Sequence, residues 1–448
     1  MTAGVTGRAA VTAAGTGVLY PDGTTTSNVY TYLDVTAVKD RMTNWTFYGY
    51  NALRELTAVT NANSVVTRYG YCDCGAQTFV TNAFGLSGLQ ETTQFIYDYQ
   101  SRLTQTYFPD GSSATNSYDA LGRLTVWSDG LGSTTNYYDN LSRLVTVSNY
   151  AGQVQGLVYD VENRVAQATD ANGVTVTNTF DDLGRLRTRT YPDTGGEAFG
   201  YTVNVSALTS YTNQLGNVWT YAYDAAGRKT NEIGVGVYTN SFSYKPADDL
   251  ASLKDGKNQV TTWNYDPYGR VTNKLDQASV EILRYQYDAD SRLTNRWSKA
   301  MGNTAYLYDA VGNLTKVDYP SGTTDITLAY DALNRMTNML DAAGTSKYTY
   351  YAGGLLATED GPWASDTVTY TYNNRLRASL SLQQPTGTWT NGYTWDAAHR
   401  LSTETSPAGT FTYGYKVGQP SRLPIKLSLP NSSYITNTYD NVARLTGT

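Results

Sequence analysis

Histidine occurs once in this 448-residue chain, as His399, and cysteine twice, as Cys72 and Cys74. A metal site wants about four ligands from such residues, so neither a metal nor a cofactor is expected. Two cysteines one residue apart hardly reach a relaxed disulfide geometry, and free thiols are expected there. No run of about 18 apolar residues exists, which excludes a membrane-spanning helix. The start, Met1-Thr2-Ala3-Gly4, lacks a basic region followed by an apolar core, so no signal peptide is expected. Lys and Arg number 33 against 39 Asp and Glu, a net charge of −6. Without a basic stripe there is nothing to neutralise phosphates, and nucleic acid is not an expected partner. Proline (12), phenylalanine (9) and methionine (5) are scarce, and no sustained helical stripe is visible.

Tyrosine and glycine, at 40 each, are abundant, and so are Thr and Asn. Tyr and Thr favour a pleated, half-buried surface, and aromatic rings can replace aliphatic side chains as buried material. The decisive feature is an internal repeat. Tyr118-Asp119-Ala120-Leu121-Gly122-Arg123-Leu124-Thr125 returns as Tyr223-Asp224-Ala225-Ala226-Gly227-Arg228 and as Tyr265-Asp266-Pro267-Tyr268-Gly269-Arg270. It returns again as Tyr287-Asp288-Ala289-Asp290-Ser291-Arg292 and Tyr330-Asp331-Ala332-Leu333-Asn334-Arg335. Aromatic anchors keep this phase from Tyr50 to Tyr439, nineteen in all, spaced about 21.6 residues apart on average.

Each unit carries two turn signals. One is the motif, whose fifth position is Gly122, Gly184, Gly227 or Gly269 in some copies and Ser101, Asn163, Asn334 or His399 in others. Most of these tolerate a left-handed backbone. The other lies half a repeat later, as Pro21-Asp22-Gly23, Pro109-Asp110-Gly111 or Asp170-Ala171-Asn172-Gly173. Between turns the pattern alternates with period two: in Val174-Thr175-Val176-Thr177-Asn178-Thr179-Phe180, Val174, Val176 and Phe180 share a face. Two strands per unit, joined by reversals, predict an antiparallel meander. A parallel β-helix needs no such reversals, and a propeller blade would need about 40 residues.

The phased motif, with Pro-Asp-Gly between copies, resembles the YD repeat of Rhs proteins. Related repeats occur in bacterial wall-associated proteins, toxin-complex B and C components, and teneurins. The resemblance covers residues 45–448, preceded by a degenerate lead-in over 1–44. It implies an all-β fold of tandem hairpins in a long curved or spiralling antiparallel sheet, part of a β-cocoon. About thirty-eight strands would give a ribbon on the order of 180 Å long. The chain stops inside a repeat, at Tyr439-Asp440-Asn441-Val442-Ala443-Arg444, so truncation at the C-terminus is expected.

The function that the resemblance implies is non-catalytic. It is a shell segment that encapsulates or presents a toxin or effector polypeptide, or joins the remaining parts of an Rhs protein. Its expected location is extracellular or at the cell surface. The alternative is an extracellular adhesion module that binds carbohydrate or protein, with cell-surface glycans stacking on the aromatic rows. The expected site is a structural one, carried by Tyr118, Asp119, Gly122, Arg123, Tyr223, Asp224, Gly227, Arg228, Tyr265, Asp266, Gly269, Arg270, Tyr287, Asp288, Arg292, Tyr330, Asp331 and Arg335. Asp should accept from turn amides, and Asp and Arg rows should pair between neighbouring units. His399 is expected as a turn residue. No acidic pair stands out as a glycosidase pair would, so an enzyme is not expected.

Overall fold

The structure, a computed structural model, describes residues 12–202, 206–236 and 238–448. Among these residues every regular element is a β-strand, forty-two in number, of which forty belong to one sheet and two form a small pair. No helix among them is long and apolar enough to cross a membrane. The expected all-β meander is what forms: strands adjacent in sequence pair antiparallel, one after another. The expected lead-in begins outside the described residues. From Thr12 it too is strand, with Thr12–Leu19, Thr25–Thr31 and Asp34–Lys39 paired in order.

One repeat shows why these residues make these elements. The strand Ser113–Tyr118 ends on its aromatic anchor. A tight turn follows, then Leu124–Asp129 returns, and a second turn leads to Ser133–Tyr138. The register slips at each anchor: Ser117 faces Val126, whereas Tyr118 faces Leu124, so Thr125 is the extra residue of a bulge. The same slip recurs at Tyr50, Tyr159, Tyr223 and Tyr330. A bulge at a fixed place strengthens the twist at the same point of every hairpin.

The sheet is a single layer. Only five apolar residues among those described are buried: Ala37, Ala83, Ala151, Val317 and Ala398. In the strand Thr175–Phe180 both faces are half-buried, except for exposed Thr179, rather than one dry and one wet. Accessible surface totals 25879 Å², against roughly 16,700 Å² for a compact monomer of this mass. Tyr, Thr and Asn suit such a wall, because each offers carbon to its neighbours and a polar tip to water.

The chain divides into two compact units. The first contains Met1–Gly111, Asp266–Asn273 and Ile282–Thr367; the second contains Ser112–Tyr265, Lys274–Glu281 and Val368–Thr448. Within the first, second turns near the start of the chain lie beside motif turns about 246 residues later, as Asp22 does with Tyr268 and Asn63 with Asp309. Within the second, Asn172 meets Ser421 and Pro192 meets Asn441, both 249 residues apart.

Candidate functional site

The motif turn is built from a short local rule. The Asp119 amide donates to the Arg123 carbonyl and the Gly122 amide donates to the Asp119 carbonyl, both at 3.0 Å. That is a three-residue hairpin loop whose last residue must be left-handed, and Gly122 has φ 80°. Ser142, Asn163, Ser291, Asn334 and His399 take the same slot with φ between 58° and 66°.

The aspartate closes the loop. Asp119 Oδ1 accepts from the Leu121 and Arg123 amides at 3.0 and 2.9 Å, and Oδ2 accepts from Arg123 Nε at 2.7 Å. Asp224 with Arg228, Asp266 with Arg270, Asp288 with Arg292, and Asp331 with Arg335 repeat the Nε bond at 2.6–2.8 Å. The Arg123 amide, countered by some burial and helped by the guanidinium, holds the Asp119 carboxyl below the usual carboxylate range. At Asp266 burial pushes upward, but the Arg270 amide and guanidinium outweigh it and the net direction is down.

The expectation that Asp and Arg rows pair between neighbouring units holds at Arg228 and Asp248, 2.9 Å apart, but the pair that every intact motif repeats is a different one. The ion pair is closed within one unit, four residues apart. The loop places both residues at the base of the same hairpin, and a second carboxylate joins only at some turns, as Glu91 does at Arg335. The guanidinium reaches the next unit in two ways: Nη1 donates to the following turn, as Arg270 does to the Asp288 carbonyl at 2.9 Å, and the face covers the next anchor ring. Arg123 lies 4.6 Å from the Tyr138 ring centre, and Arg270, Arg292 and Arg335 cover Tyr287, Tyr308 and Tyr350 at 4.8–5.1 Å. Arg228 covers Tyr244 at 4.9 Å and Arg164 covers Phe180 at 4.7 Å. Such contacts are worth about 0.5–1 kcal/mol when partly exposed.

The anchor ring is tied at its other end. Tyr223, Tyr265 and Tyr330 donate their hydroxyls to the carbonyls of Leu208, Leu250 and Leu314 at 2.7–2.9 Å. Thr125 Oγ1 donates to the Ser117 carbonyl at 3.1 Å across the bulge, which accounts for the threonine that ends the motif. Sequence reasoning missed the Arg-to-ring ladder. Its signal was present: an aromatic residue stands fifteen positions after Arg123, at Tyr138.

Two further residues behave differently from their expected roles. Cys72 and Cys74 are joined by a disulfide, which corrects the expectation of free thiols. The motif turn does this: Gly75, at φ 80°, folds the chain back and brings the two Cα atoms to 5.1 Å, inside the bridging range. His399 does take the left-handed turn slot, with φ 58°. It also places Nε2 2.8 Å from Asp129 Oδ2, a contact between turns 270 residues apart that no local pattern announces.

No group of three His, Cys, Asp or Glu that could hold a metal occurs among the described residues. Glu197 is among the better covered carboxylates, and it accepts from Tyr211 and Tyr191 at 2.6 and 3.0 Å beside Arg189. Burial pushes its carboxyl up, but those hydrogen bonds and Arg189 outweigh this and hold it down. Such a group is a poor proton donor near neutral pH.

These features define a class: a single-layer antiparallel wall whose units are closed by an Asp–Arg turn and linked by an Arg–aromatic ladder. Residues 202–359 match the family model described as Teneurin YD-shell. Over that stretch, and through its repeated motif, the chain resembles the YD-repeat, or Rhs-repeat, family. It is 27% identical over 247 residues to the double-stranded DNA deaminase toxin A of Burkholderia cenocepacia, a match that covers 52% of this chain and 14% of that protein. It is 26% identical over 219 residues to the tRNA3(Ser)-specific nuclease WapA of Bacillus spizizenii, covering 43% and 9%. The chain therefore matches only a small part of the curated relatives. Crystal structures of TcdB2-TccC3, with and without its hypervariable C-terminal region, share the fold at TM-scores of 0.68 and 0.62 and at 12% and 14% identity. Each covers 97% of this chain, which spans 30% and 26% of theirs.

Proposed function

We propose that the chain is a non-catalytic segment of a protein shell that encloses or presents a toxin or effector polypeptide. The observation that carries this reading is the turn seam within each unit. A ribbon one layer thick makes a barrier only if adjacent passes seal edge to edge. Here second turns and motif turns do so through Arg41 and Asp290, Glu91 and Arg335, Asn172 and Ser421, and Asp193 and Arg444. Faces of Tyr, Thr and Asn would hold an unfolded guest without giving it a fold of its own.

The toxin activities named for the two relatives belong to proteins of which this chain matches a small fraction, and in this reading they reside outside the shared repeats. A secreted or cell-surface setting follows from the same kinship. An adhesion module with aromatic rows free for sugars is less well supported, because the anchor rings lie under guanidinium groups.

The test is a guest fusion. An unstructured reporter peptide joined to the C-terminus is exposed to a nonspecific protease beside the same peptide fused to an unrelated β-protein. A shell segment should slow guest cleavage by about tenfold or more, a protection of ~1.4 kcal/mol. Equal cleavage rates would remove the shell reading.

A further inference from the structure

The turn after Tyr71 is closed differently from the intact motif. Cys72 stands where Asp119 stands, and Ala76 stands where Arg123 stands. The backbone loop is kept: the Cys72 amide donates to the Ala76 carbonyl and the Gly75 amide to the Cys72 carbonyl, both at 2.9 Å. Neither half of the Asp–Arg pair is present. Alanine is also too short to reach the next anchor ring, Tyr97, as Arg123 reaches Tyr138. Asn51, in the same motif slot, still accepts from the Leu53 and Glu55 amides at 3.0 Å. A cysteine sulfur is only a weak acceptor.

The disulfide supplies the missing closure. Asp119 ties its side chain to the amide of Leu121, two places on, at 3.0 Å. Cys72 ties its side chain to Cys74, also two places on. The bond spans the same two positions of the loop, but it is covalent and it can be reduced.

The hairpin that this turn closes leads to a seam. Its strands, Val66–Tyr71 and Gln77–Asn82, pair antiparallel. Their far end runs into the long second turn of residues 83–90, where Ala83, Gly85 and Gly88 are left-handed. The Phe84 amide donates to the Val66 carbonyl at 2.8 Å, and Arg68 lies 3.7 Å from the centre of the Phe84 ring. Ala83 is fully buried. Glu91, which follows the turn, makes the seam ion pair with Arg335 at 2.7 Å. The hairpin therefore holds the loop on which the seam is built.

We infer that Cys72 and Cys74 form a redox latch, whose reduction to two thiols frees the hairpin of residues 66–82 and loosens the seam between residues 83–91 and Arg335. The reductant is a small thiol or dithiol. Its thiolate attacks one sulfur of the bridge, the S–S bond breaks, and the other sulfur leaves as a thiolate that takes up a proton. A second thiol resolves the mixed disulfide, so two electrons reach the protein and one disulfide forms on the reductant. The turn is closed in an oxidising setting and open in a reducing one. The inference concerns the hairpin and its seam, and stands whether or not a guest is enclosed.

Hydrogen exchange of the full chain, before and after dithiothreitol, tests this, with alkylation to count the thiols released. Peptides from residues 66–91 should exchange about tenfold or more faster once reduced. Peptides around Arg335 should follow by a smaller factor, and the strands Ser113–Tyr118 and Leu124–Asp129 should not change. Cys72→Ser with Cys74→Ser should exchange like the reduced chain under either condition. Cys72→Asp, Cys74→Leu and Ala76→Arg together rebuild the intact motif, and this variant should be as protected as the oxidised chain with or without dithiothreitol. A bridge that dithiothreitol leaves intact in the folded chain would overturn the inference. So would unchanged exchange of residues 66–82 on reduction, or a rebuilt motif that stays as open as the serine variant. A change confined to the hairpin, with the Arg335 peptides unmoved, would overturn the link to the seam.

Discussion

Replacing Asp396 by alanine tests the turn chemistry where it is most consequential. Asp396 accepts from the Ala398 and Arg400 amides at 2.9 and 3.1 Å and from Arg400 Nε at 2.8 Å. The Arg400 side chain is only 8% exposed. Two turn hydrogen bonds lost at about 1 kcal/mol each give ~2 kcal/mol. Stranding a buried guanidinium costs about 3–5 kcal/mol when nothing else holds it. Arg400 keeps the Gln419 carbonyl at 2.8 Å and the Tyr415 ring at 4.4 Å, so about 1–2 kcal/mol is the reasonable share. The expected loss is about 3–4 kcal/mol for Asp396→Ala and about 1–2 kcal/mol for Asp396→Asn, whose carbonyl oxygen still accepts from both amides. Hydrogen exchange of peptides around residues 393–421 reads this locally, since an array opens piece by piece. Equal losses for the two variants, or a loss under about 1 kcal/mol for alanine, would refute the division between turn and ion pair.

Acid should dissolve the sheet only well below neutrality. Hydrogen bonds from turn amides and Arg hold Asp98, Asp119, Asp139, Asp160, Asp181 and Asp224 below their ordinary value, and Asp22 falls to about 2 through its Thr24 hydrogen bond. Depressed folded values mean stability that is full above the unfolded pKa of about 3.9 and lost as pH falls through the folded values; sheet signal lost by circular dichroism already at pH 5–6 would contradict this. Gly227→Ala meets nothing within 4 Å, so its cost is the left-handed backbone at φ 81° alone, about 1 kcal/mol, and Ser291→Gly should shift the melting temperature the opposite way. Thiol titration of the unfolded, unreduced chain should find no free thiol, both cysteines being bonded; two reactive thiols would restore the simpler expectation.

The fold was legible because its unit is local. A three-residue loop needs an acceptor at its start and a left-handed residue at its end, and Asp119 and Gly122 announce both. The alternation then leaves little choice but a hairpin. The seams were not legible, because Asp129 and His399 belong to repeats 270 residues apart with nothing local to distinguish them. The ladder was legible in principle, since Arg123 and Tyr138 keep a fixed interval, but pairing Arg with Asp of a neighbouring unit was the simpler guess. The disulfide at Cys72 and Cys74 was missed by treating two residues as an extended pair when the repeat phase already placed them in a turn.

A wall one layer thick has no second layer in which to bury apolar area, so its stability must be assembled within the layer and along its edges. The repeat supplies the first part: a motif arginine such as Arg123 closes its own turn and covers the next ring, so the units that carry it are held by their successors. The seam supplies the second, and it divides the units into two physical kinds. Leu121 and Ala398 hold the same motif position, yet the first is 72% exposed and the second 7%. A large polar substitution at Leu121 meets water, whereas at Ala398 it must displace the turn around Asp129 and Gly132, whose amide binds Asp129 Oδ1 at 2.9 Å. The same eight-residue motif therefore tolerates different side chains according to what lies about 250 residues away. No consensus drawn from one hairpin can state that requirement, because the neighbour that imposes it belongs to another pass of the ribbon.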